Sequence, residues 1–129
     1  MDQLNKSICL WRQIIVTLPQ SHPDYTESLD NLASTLHAHY KQSGDRDILA
    51  ESIRLHREGL ALRPHGHPHR ASSLDSLALA LVTHYSQSGD AGTLTETMDL
   101  LHEALALRPH GHPDRASSLG NLALSLIHI

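Results

Sequence analysis

The chain contains no phenylalanine, and its aromatic residues are only Trp11, Tyr25, Tyr40 and Tyr85. Any core must therefore be assembled mainly from leucine, isoleucine and alanine. A single cysteine, Cys9, excludes an internal disulfide and suits a reducing compartment. Basic residues are in the minority, ten Lys and Arg against fourteen Asp and Glu, for a formal net charge of −4. Neither nucleic-acid phosphates nor an anionic membrane surface meets a complementary excess here. Long apolar runs are missing as well. The stretch from Ser7 to Leu18 comes nearest, yet Arg12 and Gln13 interrupt it, and a bilayer span needs roughly 18 or more uninterrupted apolar residues. No small-residue cleavage pattern follows it, so it reads as a buried helix face rather than a secretion signal. The expected location is the cytoplasm.

Catalytic signatures are also lacking. There is no Gly-x-Ser-x-Gly elbow, no Walker loop and no Gly-x-Gly-x-x-Gly, and His102-Glu103 lacks the second histidine of a zinc-peptidase helix. Cys9 lies beside the apolar stripe of Ile8 and Trp11, which predicts a buried, inert thiol. The twelve histidines are numerous, and His65, His67 and His69 alternate in one loop. Converging imidazoles bind zinc, copper or nickel, but a structural site needs four ligands in a closed shell. His65 and His67 recur as His110 and His112, whereas His69 becomes Asp114. That recurrence assigns them to a repeated turn. No metal, cofactor or enzymatic activity is expected.

What the chain does have is a repeat. Pro19, Pro64 and Pro109 stand 45 residues apart, and the block from Leu60 to Leu74 returns from Leu105 to Leu119 with one change, His69 to Asp114. Periods of this size indicate stacked supersecondary units. Each unit carries two helical patterns. The first, here termed A, reads Leu29, Leu32, Ala33, Leu36, Tyr40, then Leu74, Leu77, Ala78, Leu81, Tyr85, then Leu119, Leu122, Ala123, Leu126. Its i, i+3, i+4, i+7 spacing is one face of an amphipathic helix. The second, B, reads Leu4, Ile8, Trp11, Ile14, Ile15, then Leu49, Ile53, His56, Gly59, Leu60, then Leu94, Met98, Leu101, Ala104, Leu105.

Two kinds of breaker separate the patterns. Gly44 and Gly89, each in a Gln-Ser-Gly-Asp tetrapeptide, suit a left-handed helix end. Thr93 and Glu96 have capping-box spacing. Pro64 and Pro109 disfavour helical geometry at the preceding arginine. Pro23, Pro68 and Pro113 suit a first helical position, with Asp24 and Asp114 near the positive helix end. The expected fold is all-α, an α-solenoid of antiparallel pairs in the order B-A-B-A-B-A over residues 1–129. The helices are placed at about 2–18, 23–42, 47–63, 68–87, 93–108 and 113–129. Helix B opens the chain without an A partner and helix A ends it without a B, which reads as a fragment of a longer array.

These residues resemble tetratricopeptide repeats of the longer, kinesin-light-chain-like type, in which His-Pro-Asp opens helix A ahead of a Leu-x-Asn-Leu-Ala core. The pattern stands as His22-Pro-Asp24 with Leu29-Asp-Asn-Leu-Ala33, and as His112-Pro-Asp114 with Leu119-Gly-Asn-Leu-Ala123. The middle copy departs from it with His69 and Ser76. A nearer likeness is to tandem Leu-Arg-Pro-x-Gly-His-Pro-Asp-Arg arrays in large fungal proteins, some of which also carry caspase-like (CHAT) peptidase or nucleotide-binding modules. The resemblance implies a right-handed superhelix. It also places Ser52, His56, Gly59 and Pro64 at the small, large, small and proline positions of helix B.

The resemblance further implies a protein-binding concave face lined by the A helices. Its first unit supplies Glu27, Asp30, Asn31, Ser34 and His37, and its second supplies Ser72, Asp75, Ser76, Leu79 and Val82. Its third supplies Ser117, Gly120, Asn121, Leu124 and Ile127. One edge is acidic and the other increasingly apolar, a fit for an extended peptide or helix with a basic end and aliphatic anchors. Alternatively, Leu79, Val82, Leu124 and Ile127 pack on neighbouring helices. Asp30, Asp75 and Gly120 occupy one of the lysine positions of the carboxylate clamp, which disfavours acidic C-terminal tails. The expected function is a non-catalytic interaction scaffold. The alternative is a structural segment of a larger signalling or peptidase-linked protein without its own ligand, whose apolar ends associate end to end.

Overall fold

Two glycines set the rhythm of the fold. Gly44 and Gly89 adopt φ of 70° and 69°, and their amides donate to the Tyr40 and Tyr85 carbonyls at 2.7 and 2.8 Å. An L-residue with a Cβ is strained in this conformation, so each glycine closes one helix and turns the chain into the next. The computed structural model describes residues 2–108 and, among them, consists of five helices without strands. These are α1 (Asp2–Thr17), α2 (Tyr25–Ser43), α3 (Arg46–Ala61), α4 (Arg70–Ser88) and α5 (Ala91–Leu107). The helix expected at 113–129, with Ser117, Gly120, Asn121, Leu124 and Ile127, lies outside the described residues. The chain divides into two compact units, the first holding α1, α2 and α3 and the second α4 and α5.

In the first unit α2 packs against both α1 and α3. The pairing with α3 is antiparallel. Ser52 Oγ donates to the Ala33 carbonyl at 2.7 Å midway along both helices, while Gly59, late in α3, stands against Thr26 and Asp30, early in α2. A Cβ at residue 59 would lie 2.7 Å from Asp30 Oδ1, so any residue larger than glycine would make the Asp30 carboxylate move. The α1 pairing is antiparallel too, since His39 Nε2 donates to Asn5 Oδ1 at 3.1 Å and connects the end of α2 to the start of α1. The A-type stripe forms the core: Leu29, Leu32, Ala33 and Leu36 are buried with Ile8, Tyr25 and Leu55, flanked by Trp11, Ile15, Leu18 and Ile48.

The second unit repeats the hairpin. Leu74, Leu77, Ala78 and Leu81 of α4 are buried, as are Leu101, Ala104 and Thr97 of α5. Thr97 satisfies its hydroxyl by donating to the Thr93 carbonyl at 2.8 Å. Arg70, at the start of α4, donates through Nε to Glu103 Oε2 near the end of α5 at 2.5 Å, which fixes the antiparallel sense.

Several local expectations are corrected. Pro23 and Pro68 are not first helical residues, because α2 and α4 begin at Tyr25 and Arg70. Each proline lies inside a hydrogen-bonded turn in which the Tyr25 and Arg70 amides donate to the His22 and His67 carbonyls, at 3.0 and 3.1 Å. The histidine rings brace these turns: His22 Nδ1 accepts from the Asp24 amide and His67 Nδ1 from the His69 amide, both at 3.0 Å. Nor do Thr93 and Glu96 form the expected capping box. The cap of α5 is Asp90, whose carboxylate accepts from the Gly92 amide at 2.9 Å, as Asp45 accepts from Asp47 at 3.0 Å to cap α3. Helix α3 ends at Ala61 rather than 63.

The buried face of α1 is narrower than the apolar run from Ser7 to Leu18: Ile8, Trp11, Ile15 and Leu18 pack on the core, but the rest of the run does not. Leu10, Ile14 and Val16 are 59%, 38% and 85% exposed, and Cys9 is exposed rather than buried. The reason is geometric: only the side of α1 carrying Ile8, Trp11 and Ile15 meets α2.

Candidate interaction surface

Helix α2 carries the first group of expected contact residues on one flank. Glu27 and Ser34 are exposed, while Asn31 and His37 are half-buried. Asp30 is half-buried as well, and its Oδ1 is turned away from solvent toward Gly59. On α4 the second group divides differently. Ser72 and Leu79 are exposed and Ser76 is half-buried, but Asp75 and Val82 are buried. These two belong to the interior and not to an open binding face.

Asp75 is buried by its partner. Arg108, immediately after α5, donates through Nη1 to Asp75 Oδ2, and its Nη2 donates to Ser72 Oγ at 3.3 Å. A charge withdrawn from water requires such compensation. Asp30 and Arg63 stand 45 residues before Asp75 and Arg108, so the repeat carries the same residue pair in both copies. Arg63 itself donates to Ser73 Oγ at 2.7 Å. Nearby, Glu103 is held below the ordinary carboxylate range, chiefly by the hydrogen bond from Arg70.

The expected acidic edge becomes a defined cavity in the first unit. It has a volume of about 390 Å³ and lies between α1 and the start of α2. Trp11, Ile14 and Leu18 supply an apolar wall; Asp24, Glu27, Ser28 and Asn31 supply the opposite side. Ser28 Oγ is committed to the Asp24 carbonyl at 2.8 Å. Asp24 and Glu27 are both exposed, and the Asp24 side chain makes no cap bond. Asp24, Trp11 and Ile14 were not among the expected contact residues. Their part in the site arises from the packing of α1 on α2, which the A-helix pattern alone does not encode.

A second cavity, about 440 Å³, lies in the second unit and is lined by Gly66, His67, Pro68, His69, Ala71 and Ser72 with Leu107 and Arg108. His67 and His69 stand with ring centroids 5.8 Å apart, and His65 Nδ1 lies 3.7 Å from Glu103 Oε2. Among the described residues no three His, Cys, Asp or Glu side chains converge as a metal site. His110 and His112 lie outside the described residues.

Buried histidines belong to the packing. His56 is 2% exposed, its Nδ1 lacks a hydrogen-bond partner, and burial followed by the neighbouring His37 pushes its pKa down to about 4. His37 is lowered as well, first by burial and then by Lys41. Among the described residues no helix is long and apolar enough to cross a membrane.

The described residues thus define an all-α protein of adjacent antiparallel helices. Compared with family models, curated proteins and solved structures, the chain matches none of them.

Proposed function

We propose that this chain is a tetratricopeptide-type repeat module of the kinesin-light-chain-like kind, a non-catalytic cytoplasmic scaffold that binds a peptide or helix on the flank of its A helices. One observation carries the proposal: the flank of α2 with exposed Glu27 and half-buried Asn31 borders a cavity of about 390 Å³ that Trp11, Ile14 and Leu18 also line. An apolar wall facing convergent polar groups is the usual composition of a recognition site. Sequence supports the module type through the 45-residue period and the His-Pro-Asp and Leu-x-Asn-Leu-Ala motifs. The test is a synthetic array of short peptides varied in charge and aliphatic content, with calorimetry on the hits. One-to-one binding weakened by Glu27→Ala and Asn31→Ala is expected. Absence of binding across the array overturns the proposal.

A second reading has its own observation. Leu10 is 59% exposed, whereas Leu55, one repeat later, is 5% exposed within the core that α2 builds. On this reading the chain is a structural segment whose open α1 face accepts an A-type helix of a second copy, because an A-type stripe covers the equivalent leucine on α3. Light scattering over a concentration series is then expected to show association that Leu10→Gln with Val16→Gln abolishes. A concentration-independent monomer overturns it.

A further inference from the structure

We infer that the cavity between α1 and α2 is a pocket for a cationic side chain, and that the partner of this face is a peptide presenting arginine or lysine flanked by small aliphatic residues. The inference rests on the peptide-binding proposal above and specifies its chemistry. Three features of the pocket select this occupant. Trp11 lines the cavity beside Ile14 and Leu18, an apolar surface for a long methylene stem with an aromatic ring of the kind that cations favour. Asp24 and Glu27 are the charged lining residues, and no cationic residue lines the cavity beside them. The nearest arginine in sequence, Arg12, is committed elsewhere, to Glu51 Oε1 at 2.7 Å.

Size agrees with the chemistry. A cavity of about 390 Å³ is at the small end of ligand pockets, suited to one long side chain and its adjoining backbone. The half-buried Asn31 amide at the pocket edge adds both a donor and an acceptor for that backbone. An acidic ligand would instead confront two carboxylates with no countercharge.

The chain's only tryptophan lies in this pocket, so its fluorescence reports occupancy directly. The test titrates the full chain with acetyl-Leu-Ala-Arg-Ala-Leu-amide and with the same peptide carrying citrulline, the neutral isostere of arginine, following Trp11 emission and heat. The arginine peptide is expected to shift the emission and to bind about fivefold tighter than the citrulline peptide, the factor for one solvent-screened cation contact. The difference should shrink with added salt and vanish in the Asp24→Asn, Glu27→Gln variant. Asp24 makes no side-chain cap bond and both residues are exposed, and unchanged helicity confirms that the variant folds. Equal binding of both peptides, or heat without a change in Trp11 emission, overturns the cationic pocket while leaving the peptide-binding proposal in place. No binding of either peptide also overturns it, and the broader proposal then stands or falls on the peptide array.

Discussion

Arg108 and Asp75 join the C-terminal end of α5 to α4 through a charge pair whose side chains are only 6% and 13% exposed. The pair closes the second hairpin where the apolar stripe gives out. Removing one partner breaks a buried charge pair, which costs far more than the pair contributes. Asp75→Ala is therefore expected to destabilise by about 3 to 5 kcal/mol. The Asp75→Leu, Arg108→Leu double variant should recover most of that loss. Chemical denaturation of the single and double variants measures the coupling, and additive losses would show that the two charges do not depend on one another.

Gly59 makes a different demand. Alanine normally improves a helix interior by about 0.5 to 1 kcal/mol over glycine, but here its Cβ would lie 2.7 Å from Asp30 Oδ1. Gly59→Ala should instead destabilise by about 1 to 3 kcal/mol, the range for overpacking. A raised melting temperature would show that the Asp30 carboxylate turns aside without cost.

The helix starts differ in their sensitivity. Asp45 and Asp90 each accept an amide at the start of a B-type helix, so Asp45→Ala and Asp90→Ala should each cost about 1 kcal/mol. Asp24 precedes α2 without a side-chain cap bond, and Asp24→Ala should leave the denaturation midpoint nearly unmoved. Equal losses at all three positions would contradict this distinction.

The His56 side chain makes the fold sensitive to acid. Its pKa is lowered from 6.5 to about 4, first by burial and then by His37. Between those values the unfolded chain binds more protons than the folded one, so stability falls as pH drops through the window and is flat above it. The loss at the acid end is about 3 kcal/mol from this group, and His37 acts in the same direction. Trp11, His56 and Leu101 share one repeat position. His56→Leu should therefore remove most of this acid dependence and, by eliminating an unsatisfied buried nitrogen, stabilise the fold by about 1 to 3 kcal/mol at neutral pH. Melting curves taken across the window decide the matter, and a variant that keeps the full acid slope would exonerate His56.

The histidine-braced turns offer a narrower test. His67 Nδ1 accepts the His69 amide at 3.0 Å, a role that an asparagine oxygen can fill in the same Asx-like geometry. His67→Ala should cost about 1 kcal/mol, the net worth of one hydrogen bond, and His67→Asn should restore most of it in thermal melts.

Five of the six helices expected from residue pattern are present among the described residues. Period-3.6 stripes such as Leu74, Leu77, Ala78 and Leu81 leave no other regular structure able to bury them together, and Gly44 and Gly89 fix where one helix must turn into the next. Local chemistry was less legible at the helix starts, because Pro23 and Pro68 are compatible with both a first helical position and the hydrogen-bonded turn they occupy. Tertiary structure alone decided which polar residues reach solvent. Asp30, Asp75 and Glu27 follow the same helical spacing, yet one faces Gly59, one is buried under Arg108 and one opens onto the Trp11 cavity. It also decided that Leu10 and Cys9 are exposed although they adjoin an apolar stripe. Periodicity specifies a face of one helix, but burial depends on whether a second helix lies against that face.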